Sequence, residues 1–405
     1  METPFAQPLY LLAKPAGATC NMACSYCYYT EKKSLTPDGQ PRVMSDDTLE
    51  RFIRLYIESQ TGGTAVFNWH GGEAMMRPLS FYRRVVELQQ RYAGGCRIEN
   101  CIQTNGTLLT DEWCVFLRRN GWLVGLSVDG PEEFHDRYRR MRAGSGPSFR
   151  RVMLAIRMLQ RHAVEWNAMA VVNDFNSGHP EEFYDFFRNI GCRFIQFTPI
   201  VERVRADGRL AAVGDSGTLA PFSVSPRRWG EFLCRLFDHW IGHDDVGRIF
   251  VQIFDATLAN WVGATPSVCS MARECGHAGA IEFNGDVYSC DHFVFPEYYL
   301  GNIRDKSLVE MMWSDRQLAF GAAKRTSLPP ECRRCEYLFA CNGECPRNRF
   351  ALDSDGNPGL NYLCEGYRMF FEHVRPAMDV MAAALRERRS PADAIRGFRG
   401  HSPVV

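Results

Sequence analysis

The sequence predicts an α/β protein built from parallel β/α units, followed by a cysteine-rich region. Three observations carry this. Short apolar runs alternate with longer amphipathic stretches from residue 9 to about 200. Several of the amphipathic stretches open on Ser, Thr or Asp, as helix caps do. Eight of the 16 cysteines crowd into residues 264–366.

The expected strands are YLLAK (10–14), AVFNWH (65–70), IENCIQTNG (98–106), LVGLSVDG (123–130), VEWNAMAVVN (164–173) and RFIQFTPI (193–200). Helical periodicity places helices over 45–60, 79–93, 110–120, 148–162 and 179–190. Six strands separated by helices argue for parallel pairing with right-handed crossovers. Alternation alone does not choose between an open sheet and a closed or partial barrel. Residues 203–223 are rich in Gly, Ala and Ser and read as a loop. A helix over 225–242 then leads to the cysteine-rich region, and another over 367–388 leads to a frayed GFRGHSPVV tail. The expected organisation is 1–240, 241–375 and a terminal helix with tail over 376–405.

Composition narrows the function. Lys+Arg and Asp+Glu are both 47, so no mean field attracts nucleic acid or an anionic membrane. No apolar run reaches the length of a membrane span, and the N-terminal stretch lacks the pattern of an export signal. The expected location is the cytoplasm, with no nucleic-acid or membrane partner. Sixteen cysteines in a reduced compartment point to metal or iron–sulfur ligation, since a chain of 405 residues needs no disulfide framework.

Cys20, Cys24 and Cys27 follow the first strand at spacing Cys-x3-Cys-x2-Cys. Three thiolates on one loop can hold a [4Fe–4S] cube and leave one iron open. A zinc site completed from elsewhere, or three core cysteines, are the other readings. This triad, with Tyr26 beside its last cysteine, resembles the signature of the radical S-adenosylmethionine (radical SAM) enzymes. The resemblance implies a partial (β/α)6 barrel and an open iron bound by the amino and carboxylate groups of S-adenosylmethionine. One electron would then cleave the cofactor to a 5′-deoxyadenosyl radical. It extends to WHGGEAM, where Gly71, Gly72 and Glu73 are expected at the cofactor, the glycines by close backbone approach and Glu73 as acceptor for the ammonium. It extends also to LSVDG: Ser127, with Arg139 downstream, would meet the cofactor's amino-acid end.

The remaining set runs Cys269-x5-Cys275, Cys290, Cys332-x2-Cys335-x5-Cys341-x3-Cys345 and Cys364. It resembles the SPASM extension with two auxiliary [4Fe–4S] clusters. The resemblance implies one cluster on Cys269, Cys275, Cys290 and Cys345 and a second on Cys332, Cys335, Cys341 and Cys364. Two zinc knuckles are the non-redox alternative. Cys101, Cys114, Cys192 and Cys234 lie in apolar patterns and read as buried, and Cys96 lies in a Gly-rich turn with no chemistry assigned.

Within radical SAM/SPASM proteins, stretches from about residue 9 to 370 resemble the anaerobic sulfatase-maturating enzymes. That implies oxidation of a Cys or Ser in a Cys/Ser-x-Pro/Ala-x-Arg segment to Cα-formylglycine. The implied partners are an unfolded or nascent sulfatase and an external electron donor and acceptor, flavodoxin- or ferredoxin-like. The base implied is Asp291, directly after Cys290, with His292 as runner-up. Tyr29 and Gln103 are implied in the substrate pocket. His70 and Ala74 depart from the family's usual Gln and Pro. The competing activity is maturation of another ribosomal peptide by thioether, crosslink or epimer formation.

Overall fold

The computed structural model describes residues 9–32, 42–142, 146–396 and 398. The six expected strands form in order: β1 (Tyr10–Lys14), β2 (Thr64–Trp69), β3 (Arg97–Thr104), β4 (Leu123–Ser127), β5 (Trp166–Val172) and β6 (Phe194–Pro199). They pair in parallel, each with the next. The connecting helices Asp46–Glu58, Leu79–Tyr92, Asp111–Arg119, Phe149–Arg161 and Pro180–Asn189 agree with the periodicity. Ser45 and Thr110 cap as their positions require, accepting from Thr48 N and Trp113 N. Ser148 does not: its hydroxyl is spent on His135 Nε2 and the Arg139 carbonyl, fixing the segment that carries Arg139.

After β6 the expected loop contains a short antiparallel hairpin, β7 (Arg203–Val204) with β8 (Thr218–Leu219). β9 (Phe250–Val251) then extends the sheet beside β6. The cysteine-rich region adds β10 (Ala278–Glu282), β11 (Asp286–Tyr288) and β12 (Tyr299–Asn302). β10 pairs in parallel with β1, in register Tyr10↔Ala278 through Lys14↔Glu282. The result is one sheet of ten strands, ordered β12-β11-β10-β1-β2-β3-β4-β5-β6-β9. The sheet therefore runs through both expected regions, and β1 lies inside it with partners on either side.

Helices cross the expected boundaries. Pro226–Gly242 spans residue 240, and Cys364–Arg386 is one helix through Pro376. The two pack closely at a glycine pair: a Cβ on Gly366 would stand 2.2 Å from Pro226 O, and one on Gly230 would stand 2.8 Å from Gly366 Cα. Of the GFRGHSPVV tail only Phe398 is described, so its expected fraying lies outside the described residues. No helix among the described residues is long and apolar enough to cross a membrane.

Candidate active site

The cysteine triad lies just beyond the C-terminal end of β1. Gly17 turns the chain in the left-handed region (φ 54°), and its N–H returns to the Lys14 carbonyl at 3.1 Å. The Gly-Gly pair after β2 is fitted to this loop. Gly72 N donates to Gly17 O at 2.9 Å and Glu73 N to Thr19 O at 2.9 Å. A Cβ on Gly72 would stand 2.4 Å from Thr19 O and 2.6 Å from Ala18 O. Gly71, at φ 123°, would meet Gly17 O at 2.7 Å. The close approach expected of these glycines is thus to the loop that carries the cysteines.

Glu73 is buried and accepts from Thr104 Oγ1 at 2.8 Å, Met75 N at 2.9 Å and Asn105 N at 2.7 Å. Three of a carboxylate's roughly four acceptor positions are occupied, leaving one for an ammonium. Burial pushes its pKa up, against the donated hydrogen bonds and Arg139. Asn105, near the end of the expected third strand, reaches the triad: its Nδ2 donates to Asn21 Oδ1 at 2.9 Å and lies 3.8 Å from Cys20 Sγ.

Tyr26 and Arg139 meet behind the triad. The Tyr26 hydroxyl donates to Asp129 Oδ2, and Arg139 Nη1 donates to the same phenol oxygen at 3.1 Å. Asp129 is fully buried and also accepts from Val171 N at 3.0 Å. Burial pushes the Cys24 thiol up to about 12, with Arg139 opposing. Gln103 Nε2 donates to Ser127 Oγ at 2.9 Å, so the expected peptide contact and the expected cofactor contact form one pair across β3 and β4.

The eight later cysteines fall into two groups by mutual electrostatic contact. Cys290 feels the charges of Cys269 and Cys275, and Cys345 those of Cys290 and Cys269, whereas Cys341 and Cys364 each feel those of Cys332 and Cys335. The second four line one cavity with Tyr367 and Phe371. Between Cys341 and Cys345 the chain is left-handed for three successive residues, Asn342 (φ 48°), Gly343 (φ 71°) and Glu344 (φ 54°). That reversal of hand sends neighbouring cysteines to different groups. No cysteine among the described residues is in a disulfide, and burial raises the thiols of Cys269, Cys275, Cys290 and Cys345 and those of Cys332, Cys341 and Cys364, with Lys324 opposing at Cys269 and Cys275. Four soft thiols per group suit clusters that displace their protons on binding.

Asp291 lies where β1, the triad loop and the segment after β11 converge. Its Oδ1 is 2.5 Å from Lys14 Nζ, and Lys14 also pairs with Glu282 at 3.0 Å. Oδ2 accepts from Tyr28 at 2.5 Å and Tyr29 at 2.8 Å. Lys32 Nζ stands 3.8 Å from Oδ1 and donates to the Asp291 carbonyl. Burial alone would push the carboxyl up, but Lys14 and Lys32 hold it well below the usual range. His292 behaves oppositely: burial and Arg347 push it down to about 3, so its reference pKa, which favoured it as a base in sequence, does not survive the environment.

The chain matches the Radical SAM superfamily over residues 15–187 and the iron–sulfur cluster-binding SPASM domain over 269–336. It is 59% identical, over 98% of its length and 97% of the relative's, to the serine-type anaerobic sulfatase-maturating enzyme of Bacteroides thetaiotaomicron. This chain is an anaerobic sulfatase-maturating enzyme of the radical SAM/SPASM family. A serine-type enzyme from Klebsiella aerogenes is 35% identical over 91% of this chain and 85% of its own length. The solved structure of native anSMEcpe with bound AdoMet and Cp18Cys peptide superposes with a TM-score of 0.82 at 31% identity, covering 93% of this chain and 99% of that one. The cofactors of the maturase are S-adenosylmethionine and iron–sulfur clusters.

Several maturase residues at the site carry no sequence signal of their own. Lys14 reads as the end of an apolar strand, yet it is fully buried. Tyr28 stacks on Tyr29 at 4.5 Å between ring centroids, beneath the Lys32 ammonium. Glu202, on the loop after β6, pairs with Arg347, whose guanidinium stands over Tyr28 at 5.3 Å. His70 accounts for its departure: its Nδ1 is 3.0 Å from the Tyr29 hydroxyl, which puts it in the Asp291 network. Ala74 is buried, and its carbonyl accepts from Tyr82 at 2.7 Å. Cys114, Cys192 and Cys234 are buried as expected, whereas Cys101 and Cys96 are half-buried.

Proposed function

We propose that this maturase oxidises a serine, within a Cys/Ser-x-Pro/Ala-x-Arg segment of an unfolded or nascent sulfatase, to Cα-formylglycine. The observation that carries the reading is the ionised Asp291 carboxylate beside Cys290 and across from the triad loop. The serine preference is supported by the serine-type relatives from Bacteroides and Klebsiella.

Cys20, Cys24 and Cys27 would hold the cluster whose open iron takes S-adenosylmethionine, with Tyr26, Gly71, Gly72, Glu73, Ser127 and Arg139 framing the cofactor. Cys269, Cys275, Cys290 and Cys345 would hold one auxiliary cluster, and Cys332, Cys335, Cys341 and Cys364 the other. When bound, these groups supply a carbon radical that takes one Cβ hydrogen from the target, and a sink for the electron left behind. Asp291 receives the hydroxyl proton. Lys14 keeps that carboxylate ionised, so it accepts and does not donate. The target hydroxyl would displace Tyr28 or Tyr29 as donor to Oδ2, while the other phenol holds the carboxylate in place. Tyr29 and Gln103 line the approach of the peptide. A flavodoxin- or ferredoxin-like protein would supply and remove electrons.

The test is anaerobic incubation of cluster-loaded enzyme and S-adenosylmethionine with Ser-x-Pro-x-Arg and Cys-x-Pro-x-Arg peptides. The Ser peptide should lose two hydrogens, faster than the Cys peptide loses two hydrogens and exchanges sulfur for oxygen. 5′-Deoxyadenosine formed without either product overturns the proposal. Asp291→Asn should keep its iron and still cleave the cofactor, while target oxidation falls about 10²–10⁴-fold.

A further inference from the structure

The helix Asp315–Thr326 contributes no cysteine, yet it touches the ligand segment Cys269–Cys275 at both ends. Gly321 lets it approach: a Cβ there would stand 2.6 Å from Cys275 O, and Cys275 N donates to Gly321 O at 3.2 Å. One turn on, Lys324 is completely buried. Its Nζ donates to three carbonyls of the same segment, Cys269 O at 2.8 Å, Ser270 O at 2.7 Å and Ala272 O at 2.5 Å. A neutral amine has two N–H bonds and an ammonium three, so three carbonyl contacts require the charged form.

No carboxylate among the described residues forms an ion pair with this ammonium within 4 Å. The buried acid Glu344, whose charge also acts on Lys324, is not hydrogen-bonded to it and accepts from Asn361 at 2.5 Å and Asn348 at 3.3 Å. Arg349 is arranged similarly. Its guanidinium donates to the carbonyls of Asn342, Gly343 and Glu344 at 3.1, 2.8 and 3.2 Å, and to Lys324 O at 2.6 Å. The thiols that act on Lys324 are Cys275, Cys269 and Cys345, all of one group, whereas those acting on Arg349 come from both groups. Buried cations without a carboxylate in contact are costly unless something else negative faces them. A four-thiolate cluster is such a group, and it becomes more negative on reduction.

We propose that Lys324 is a positioning residue for electron transfer: it sets a fixed positive charge against the auxiliary cluster of Cys269, Cys275, Cys290 and Cys345, and so raises that cluster's potential above that of the other. The inference rests on the ligand assignment above. The electron left on the target, once its hydrogen has gone to the cofactor radical and its proton to Asp291, reduces this cluster by one. Arg349, shared between the groups, shifts both and does not discriminate.

The test is an anaerobic redox titration of fully reconstituted enzyme followed by electron paramagnetic resonance, with Cys332→Ala used to identify the signal of the other auxiliary cluster. Lys324→Met should lower the Cys290-side cluster's reduction equilibrium at least about tenfold, 59 mV for one electron, and leave the other midpoints unchanged. Lys324→Arg should restore the midpoint. Lys324→Gln keeps two donors without the charge, and serves if the Met variant does not load. Full iron with an unshifted midpoint overturns the proposal. So does loss of the cluster in all three variants, which would make Lys324 a loop anchor only. Wild-type protein that binds fewer than about twelve irons instead overturns the ligand assignment itself.

Discussion

Asp291 is a carboxylate prepared as an acceptor. Two phenols and an ammonium occupy its oxygens, and burial keeps water from competing. Its role rests on Lys14, which also neutralises Glu282. Lys14→Met should leave both acids short of a partner, costing about 3–5 kcal/mol of stability. In that variant Asp291 is protonated more readily, so target oxidation should fall further than cofactor cleavage does. Denaturant melts and the ratio of oxidised peptide to 5′-deoxyadenosine check the two effects. At this scale the sequence was only partly readable. Asp291 was named only through the family resemblance, which implies a base directly after Cys290. Lys14, Tyr28 and Lys32 were not named, since their importance comes from contacts across 259–277 residues of chain that no local pattern encodes.

The elements were far more legible. Six strands and five helices follow from apolar spacing and caps, because local propensity and packing agree there. The exceptions have local causes. Ser148 gives up its cap to hold His135 and the Arg139 carbonyl, and the residues 203–223 hide a two-residue hairpin too short to show alternation. His135 itself makes a pH prediction. Burial, with Arg139, holds its imidazole well below the ordinary 6.5, so the folded protein keeps it neutral. Below pH 6.5 the unfolded chain binds the extra proton and the folded one does not, so stability falls as pH falls. His135→Gln should flatten that fall between 6.5 and about 5 in calorimetric scans. The glycine turn after β2 makes a second prediction. Gly72→Ala drives a methyl into two backbone carbonyls of the cysteine loop and should cost the protein about four irons, while Gly62→Ala, with open space around it, should cost none.

In the whole molecule, the unexpected feature is that the cysteine-rich region completes the sheet of the first half. The sequence shows two cysteine densities and so suggests separable parts, but β10 pairs with β1, and the Gly230–Gly366 crossing seats the terminal helix on the helix after β8. Gly366→Ala, with its Cβ 2.2 Å from Pro226 O, should destabilise the fold by about 1–3 kcal/mol and lower a single cooperative melting transition. Two separate transitions would show independently folding parts.

The register Lys14↔Glu282 also imposes an order of birth. A chain still on the ribosome can make its first cysteine loop long before the acid proposed to receive the substrate's proton has been translated. Only when the late hairpin slides in beside the earliest strand do Lys14 and Asp291 meet, so on the proposed role of Asp291 an unfinished molecule has no means of completing the oxidation.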